Sequence, residues 1–405
     1  MKKRIFISIH YMEIGGAEIS LMGLLDSIDY SKYDVDLFIY KHKGELMEYI
    51  PKEVNILPEE KAYANLENPI RKALFNGRFR LVAARLKAKI DFKSYCRNHP
   101  DMFDDFAVHQ ITAKRTTPVL PSLEKYGEYD LAISFLQPHN IVLEKVMAKK
   151  KICWIHTDYT VVSVDPEMEL PVWQRFDRII SISDAVTETF LKVFPSLSDK
   201  ITVMQNILPQ SFVDRRSLLI PQETIRKEMP VEDGVVNILS IGRYSIQKNF
   251  DNVPQICRYI LDSGCRVRWY IMGWGSEEGV IRANIEKYGV ASNVILLGKK
   301  QNPYPYIKAC DWYVQPSRYE GAAVTVREAQ MLHRPIIITN YPTAASQVKD
   351  GLDGKIVPLE NKKCAEGIVA AVNDENLKNS IVSYLSAHRY GNEDEIRVLE
   401  KLLEG

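Results

Sequence analysis

The sequence predicts an α/β protein built from two doubly wound parallel-sheet domains. Short apolar runs alternate with stretches of helix formers from Ile5 to Val357, the pattern of strand–helix–strand units with right-handed crossovers. Some runs, Val235 to Ile241 above all, are unbroken, as strands buried on both faces must be. A chain of 405 residues divides naturally into two domains of about 200.

Composition narrows the class. The 46% hydrophobic content suffices for two cores, and a net charge of +1 gives no general pull toward nucleic acid. Six cysteines, at 96, 153, 257, 265, 310 and 364, show no Cys-x-x-Cys spacing, which fits reduced thiols in a cytoplasm. Lys2-Lys3-Arg4 before Ile5 to Ile9 resembles a signal peptide, but the apolar run is short and meets Glu13 and Gly15-Gly16. No run reaches the roughly 18 apolar residues of a membrane span.

In order, Ile5 to Ile9 reads as the first strand, and Met12 to Glu18 as a loop into a helix from Ile19. Gly15 and Gly16 there either make a tight turn or let backbone amides approach a diphosphate. Asp34 to Tyr40 and Val54 to Leu57 are the next strands. From Arg71 to Arg97 nine cations face one acid, Asp91, with Leu and Phe interleaved at helical spacing. The segment reads as one amphipathic helix, packed with a solvated basic side or lying on an anionic membrane face.

Tyr129 to Phe135 and Lys151 to Ile155 follow as strands, the second delivering His156-Thr157-Asp158. His156 is either structural or a cleft group, since ligands bind at strand carboxyl ends in this topology. After strand Asp177 to Ser181, Ser183 suits an N-cap. A Pro-containing link runs from Asn206 to Arg216. Strand Val235 to Ile241 then ends in Gly242-Arg243 and, after four residues, Lys248. Two cations at a strand end suit a diphosphate. Strands Val267 to Met272, Val294 to Leu297, Trp312 to Val314, Pro335 to Thr339 and Lys355 to Val357 continue the alternation. Gly273-Trp274-Gly275 reads as a turn only.

The most informative stretch is Pro316-Ser317-Arg318-Tyr319-Glu320-Gly321, then Glu328-Ala329 and Pro335. It joins a buried strand to a helix from Ala322 to Leu332, whose free amides and dipole favour an anion. Glu320 precedes the helix and Glu328 lies eight residues on, roughly 800° around and so on a similar face.

This segment resembles the signature of the retaining, nucleotide-sugar-dependent glycosyltransferases of family 4, which have the GT-B fold. The family pattern is Pro-Ser-x-x-Glu-Gly, Glu-Ala, Gly-x-Pro. The chain departs from it at Gly321-Ala322-Ala323, where Gly-aromatic-Gly is usual, and at His333 in place of the helix-ending Gly. The resemblance implies an active site in a cleft between two Rossmann-like domains: 1–205 on the acceptor side, 206–385 binding the donor, and a helix in 386–405 crossing back.

By the same resemblance, Arg243 and Lys248 hold the diphosphate. Glu320 holds the sugar hydroxyls and Glu328 the ribose diol. Gly321, Ala322, Ala323 and Val324 line the donor, Lys299 touches the base, Gly15 and Gly16 close over the phosphates, and His156 assists near the sugar. The donor is expected to be a nucleotide-diphosphate sugar, a UDP-sugar first, with no metal or other cofactor. The acceptor is a saccharide or lipid-linked saccharide of cell-surface polysaccharide synthesis, reached in the cytoplasm or at the inner membrane face through residues 71–97. A sugar-nucleotide epimerase or hydrolase on this fold, or a non-catalytic partner subunit, is the alternative.

Overall fold

The computed structural model describes residues 2–13, 15–99, 105–157, 159, 162, 164–320 and 323–404. The chain forms two compact units, Met1–Leu208 with Asn392–Gly405, and Pro209–Gly391. The change-over falls at Leu208 rather than at 205. The last helix, Ile396–Glu404, is held within the first unit: the Leu403 and Leu402 carbonyls accept from Lys3 Nζ (2.6 Å) and Lys150 Nζ (3.0 Å).

The first unit is a seven-stranded sheet in the order β3-β2-β1-β4-β5-β6-β7. Its strands are β1 (Lys3–Ile9), β2 (Tyr33–Ile39), β3 (Asn55–Ile56), β4 (Tyr129–Ser134), β5 (Ala148–Ile155), β6 (Arg178–Ser181) and β7 (Ile201–Val203). The second unit has six strands in the order β10-β9-β8-β11-β12-β13. These are β8 (Val236–Ile241), β9 (Val267–Met272), β10 (Val294–Gly298), β11 (Trp312–Gln315), β12 (Ile336–Thr339) and β13 (Lys355–Val357). Every pairing between these strands is parallel. In each sheet the order reverses beside the first strand of its unit, which opens a crevice at the carboxyl ends there. The unbroken apolar runs follow from burial on both faces, as at β12, where all four residues are buried.

Three local expectations change. The link expected over 206–216 is mostly helix, Gln210–Ser217, with Arg216 and Ser217 buried. Residues 71–97 are not one helix: Ile70–Phe75 and Phe79–Asn98 are separate, broken at Gly77, whose φ of +70° suits glycine. Arg85 also leaves the expected basic face. Its guanidinium turns inward and donates to the Asn65 and Asn68 carbonyls (2.7 and 2.6 Å). Leu81, Val82 and Ala88 are buried, whereas Phe75 and Ile90 are 89% and 69% exposed. Among the described residues no helix is long and apolar enough to cross a membrane, and all six cysteines are unpaired.

Ser183 caps its helix as expected, its Oγ accepting from the Val186 amide (3.2 Å). His333 ends the signature helix by taking φ +54°, the left-handed geometry usually left to glycine. The His333 amide reaches the Gln330 carbonyl and the Arg334 amide reaches Ala329, which completes a Schellman turn despite the side chain.

Candidate active site

In the second unit, the loops after β8 and β11 are stitched into one site. Lys248 ends a short 3-10 turn, Ile246–Lys248, and its Nζ donates to Glu320 Oε1 at 2.6 Å. The two side chains are only 16% and 5% exposed, so this is a charge-assisted bond largely removed from water. Gln247 Nε2 donates to the other Glu320 oxygen (3.2 Å).

A hydrogen-bond relay fixes the carboxylate from behind. Tyr313 Oη donates to Gln315 Oε1 (2.7 Å), Gln315 Nε2 to Ser317 Oγ (2.8 Å), and Ser317 Oγ to Glu320 Oε1 (2.5 Å). Such chains polarise one another and hold a single geometry. Around them Arg318 forks onto Asp251 (2.8 and 2.7 Å), and Asn249 Nδ2 donates to the Pro316 carbonyl (2.9 Å).

Two glycines let this packing happen. A Cβ on Gly242 would sit 3.0 Å from the Lys248 stem, in the path the lysine takes to Glu320. A Cβ on Gly273, whose φ is +153°, would stand 1.9 Å from the Gly242 carbonyl oxygen. Gly273-Trp274-Gly275 is therefore more than a turn: it lies against the Gly242–Tyr244 backbone, and the Tyr244 amide donates to the Trp274 carbonyl (2.8 Å).

The remaining predicted residues of this unit distribute as follows. Arg243, on the same loop after β8 as Lys248, is exposed and its side chain has no partner among the described residues. Lys299 sits apart at the end of β10, its Nζ 4.7 Å over the Trp274 ring. Ala323 and Val324 open the signature helix, observed as Val324–Met331, with no side-chain cap. The Ala323 amide donates to Gln347 Oε1 (3.2 Å). Gly321 and Ala322 lie outside the described residues, as does Asp158.

Glu328 is buried on that helix and accepts from Tyr304 Oη at 2.9 Å. Burial raises its pKa, partly offset by the Tyr304 bond and by the charges of Arg327 and Arg216. Sequence reasoning missed Tyr304, Ser317, Gln247 and Asp251. Only the polar partners around Pro-Ser-x-x-Glu could have signalled Ser317, because it lies inside the motif itself.

In the first unit, Gly15 is the N-cap of helix Gly16–Ser27 with extended backbone. A Cβ there would meet the Glu18 carboxylate, whereas one on Gly16 would meet nothing within 4 Å. His156 follows β5 and lines a cavity of about 280 Å³ with His10, Tyr11, Gln137, Trp154 and Tyr159 among others. Burial lowers its pKa to about 4, against a bond to the Phe135 backbone. Its imidazole is therefore neutral at pH 7, and Nε2 has no hydrogen-bond partner among the described residues.

Comparison with known proteins follows the same division. Residues 221–387 match the family model described as Glycosyl transferases group 1. In sequence the chain is similar to the capsular polysaccharide biosynthesis glycosyltransferase CapM of Staphylococcus aureus, 29% identical over 143 residues, covering 35% of this chain and 38% of that protein. It is also similar to the N-acetylgalactosamine-N,N'-diacetylbacillosaminyl-diphospho-undecaprenol 4-alpha-N-acetylgalactosaminyltransferase of Campylobacter jejuni, 21% identical over 211 residues, covering 52% of this chain and 54% of that protein. The chain thus spans about half, or less, of the length of these relatives. In fold it is similar to Anabaena Alr3699/HepE, crystallised in complex with UDP and glucose, with a TM-score of 0.62, 14% identity and 100% of both chains covered. The architecture is that of the GT-B glycosyltransferases, and the unit that carries the Lys248–Glu320 site is the one that matches the group 1 family.

Proposed function

We propose that the chain is a glycosyltransferase that moves a sugar from a nucleotide-diphosphate donor, a UDP-sugar, to a saccharide or lipid-linked acceptor with retention at the anomeric carbon. The observation that carries the reading is the Lys248–Glu320 pair at the carboxyl ends of β8 and β11, with Arg243 exposed on the same loop after β8 as Lys248. Arg243 and Lys248 stabilise the charge that develops on the leaving diphosphate. The fixed Glu320 carboxylate accepts from sugar hydroxyls. Glu328, held by Tyr304, takes the ribose diol, as an acid does in dinucleotide folds. The roles of His156 near the sugar and of Gly15 and Gly16 over the phosphates rest on the family resemblance, as does retention.

The HepE complex holds UDP and glucose, and the two relatives are named for capsule synthesis and for a diphospho-undecaprenol acceptor. These names support a UDP donor and a membrane-bound acceptor here. Exposed Phe75, Phe79 and Ile90 beside Arg78, Arg80, Lys87, Lys89 and Lys93 suit an anionic bilayer, where each well-placed cation is worth about 1 kcal/mol.

The test is incubation with a panel of nucleotide sugars, following release of the nucleoside diphosphate with and without chelator. We expect slow turnover of one UDP-sugar, unchanged by chelation because protein cations neutralise the diphosphate. No turnover of any donor sinks the assignment, whereas activity lost to chelator and restored by magnesium or manganese sinks metal independence. Conversion of the donor to its epimer, without release, favours the epimerase reading.

A further inference from the structure

A polar pocket at the outer edge of the first sheet belongs to neither site described above. Lys41 and His42 follow β2, Glu59 and Lys61 follow β3, and Lys72 comes from helix Ile70–Phe75. The pocket encloses about 280 Å³, and none of the described residues that line it lines the cavity beside His156. β3 is the edge strand of its sheet, two places from β1, where the strand order reverses.

Three asparagines fix the base of the pocket. Asn65 is 1% exposed; its Nδ2 donates to the Lys61 carbonyl (2.7 Å), and its Oδ1 accepts from Asn68 Nδ2 (3.3 Å) and Asn76 Nδ2 (3.0 Å). Arg85 also ties the Asn65 and Asn68 carbonyls together. Asn68 is 6% exposed and lines the pocket, and no described residue donates to its Oδ1. A polar atom of so buried a side chain calls for a partner.

The charge above this base is one-sided. Lys41, Lys61 and Lys72 line the pocket against one carboxylate, Glu59. The neighbouring acids are engaged elsewhere: Glu60 pairs with Lys125, and Glu67 lies 3.1 Å from His10 Nδ1. Glu59 Oε2 accepts from the His42 amide (2.7 Å). Three ammonium groups around so small a space suit a phosphate, which lysine binds as a point charge. A bare phosphate would also meet the Glu59 carboxylate and offer little to Asn68 Oδ1. A ligand with hydroxyls beside its phosphate answers both, since a hydroxyl donates to either acceptor. The volume is at the small end for ligand sites, which suits a group of a few carbons.

We propose that this pocket is an accessory site for a polyol phosphate. Lys41, Lys61 and Lys72 take the phosphate, and Glu59 and Asn68 Oδ1 accept from the hydroxyls. The ligand is held and not glycosylated: α/β sheets place reacting groups where the strand order reverses, and this pocket is at the edge. The inference stands on the first unit alone and does not rest on the transferase reading. The same chemistry occurs in a free glycerol phosphate and in a phosphatidylglycerol headgroup. The second would also meet Leu74 and Phe75, exposed on the helix that carries Lys72.

Calorimetric titration of the intact protein with glycerol 3-phosphate and with inorganic phosphate tests the pocket. We expect one site for glycerol 3-phosphate, with inorganic phosphate roughly tenfold weaker and the Lys61→Ala/Lys72→Ala variant losing roughly tenfold or more. Glu59→Gln should narrow the gap between the two probes. The lipid arm is flotation with phosphatidylcholine vesicles containing phosphatidylglycerol or, at the same mole fraction, phosphatidylserine. Preference for phosphatidylglycerol, lost in the lysine variant, makes a headgroup the source; glycerol 3-phosphate binding with equal flotation on both vesicle types makes it a free polyol phosphate. The proposal is overturned if glycerol 3-phosphate binds no better than inorganic phosphate and phosphatidylglycerol no better than phosphatidylserine. It is overturned equally if the lysine variant binds as the wild type does. Sugar appearing on glycerol 3-phosphate in the presence of a donor would overturn the accessory role. Titration and flotation involve no donor, so their failure leaves the transferase reading standing.

Discussion

The two units carry polar side chains at the carboxyl ends of their sheets, and they treat them in opposite ways. In the second unit the site carboxylate has its partners: Lys248, Gln247 and Ser317 all converge on Glu320. In the first, two imidazole nitrogens on one cavity have none among the described residues. A satisfied network is rigid before its ligand arrives and loses little order on binding. Unsatisfied buried donors and acceptors instead leave part of the fold's stability to the ligand. The comparison assigns preorganised electrostatics to the Glu320 site and ligand-completed hydrogen bonding to the cavity beside His156.

Breaking the satisfied side has the largest expected effect. Lys248→Ala leaves Glu320 buried without its cation, which costs about 3 kcal/mol of stability and at least tenfold in turnover. Thermal unfolding and donor turnover, measured on Lys248→Ala, Glu320→Gln and the double variant, check this. Two additive losses would mean the residues do not act as a pair.

Arg243→Ala sharpens the same comparison. That guanidinium is exposed and has no partner among the described residues, so the melting temperature should stay within a degree or two while turnover still falls at least tenfold. A clear drop in melting temperature would show that the arginine serves the fold.

The basic face proposed to meet an anionic membrane should respond without touching either site. Changing Arg78, Arg80 and Lys87 together to Glu is expected to abolish co-sedimentation with anionic vesicles at low salt and to leave donor turnover alone. Wild-type binding should fade as salt shortens electrostatic range. Arg85 is left out because its bonds to the Asn65 and Asn68 carbonyls are structural. Equal pelleting with neutral and anionic vesicles would rule out the electrostatic contact.

The smallest effect concerns His139 in the first unit, fully buried with Nδ1 2.9 Å from Ser134 Oγ. Burial, with the nearby His156 and His10, lowers its pKa to about 3. The unfolded chain binds this proton near pH 6.5 and the folded chain does not, so the contribution is full above that pH and drains away as pH falls toward 3. His139→Asn should flatten the decline of stability between pH 6.5 and 4, read by denaturant titration at several pH values. An unchanged slope would place the titration elsewhere.

Sheet strands were legible because burial on both faces leaves an apolar run that survives in one dimension. Val267 to Met272 is a strand over the span its residues predict. The signature helix was legible too, though it begins at Val324 rather than Ala322. The contacts that hold the site were not. Lys248 and Glu320 are far apart in sequence, and nothing local tells a lysine bound for solvent from one bound for a carboxylate. Arg85 reads as a surface cation until Asn65 and Asn68 present carbonyls to it. Gly77 breaks the helix expected over 71–97, where helical spacing alone gave a continuous one. His10 carries no motif at all, and only the fold sets Glu67 against it.

The return of the last residues to the first unit has a consequence for synthesis. Leu208 and Asn392 meet at a shared neck: the Leu208 amide donates to Asn392 Oδ1 (2.9 Å), and Asn392 Nδ2 to the Asn206 carbonyl (3.1 Å). Pro209–Gly391 is therefore an insertion within the first unit, not a successor to it. Domains fold as units while the chain emerges, so the inserted one is free to complete itself first. The first unit closes only after Asn392–Gly405 has followed the inserted one.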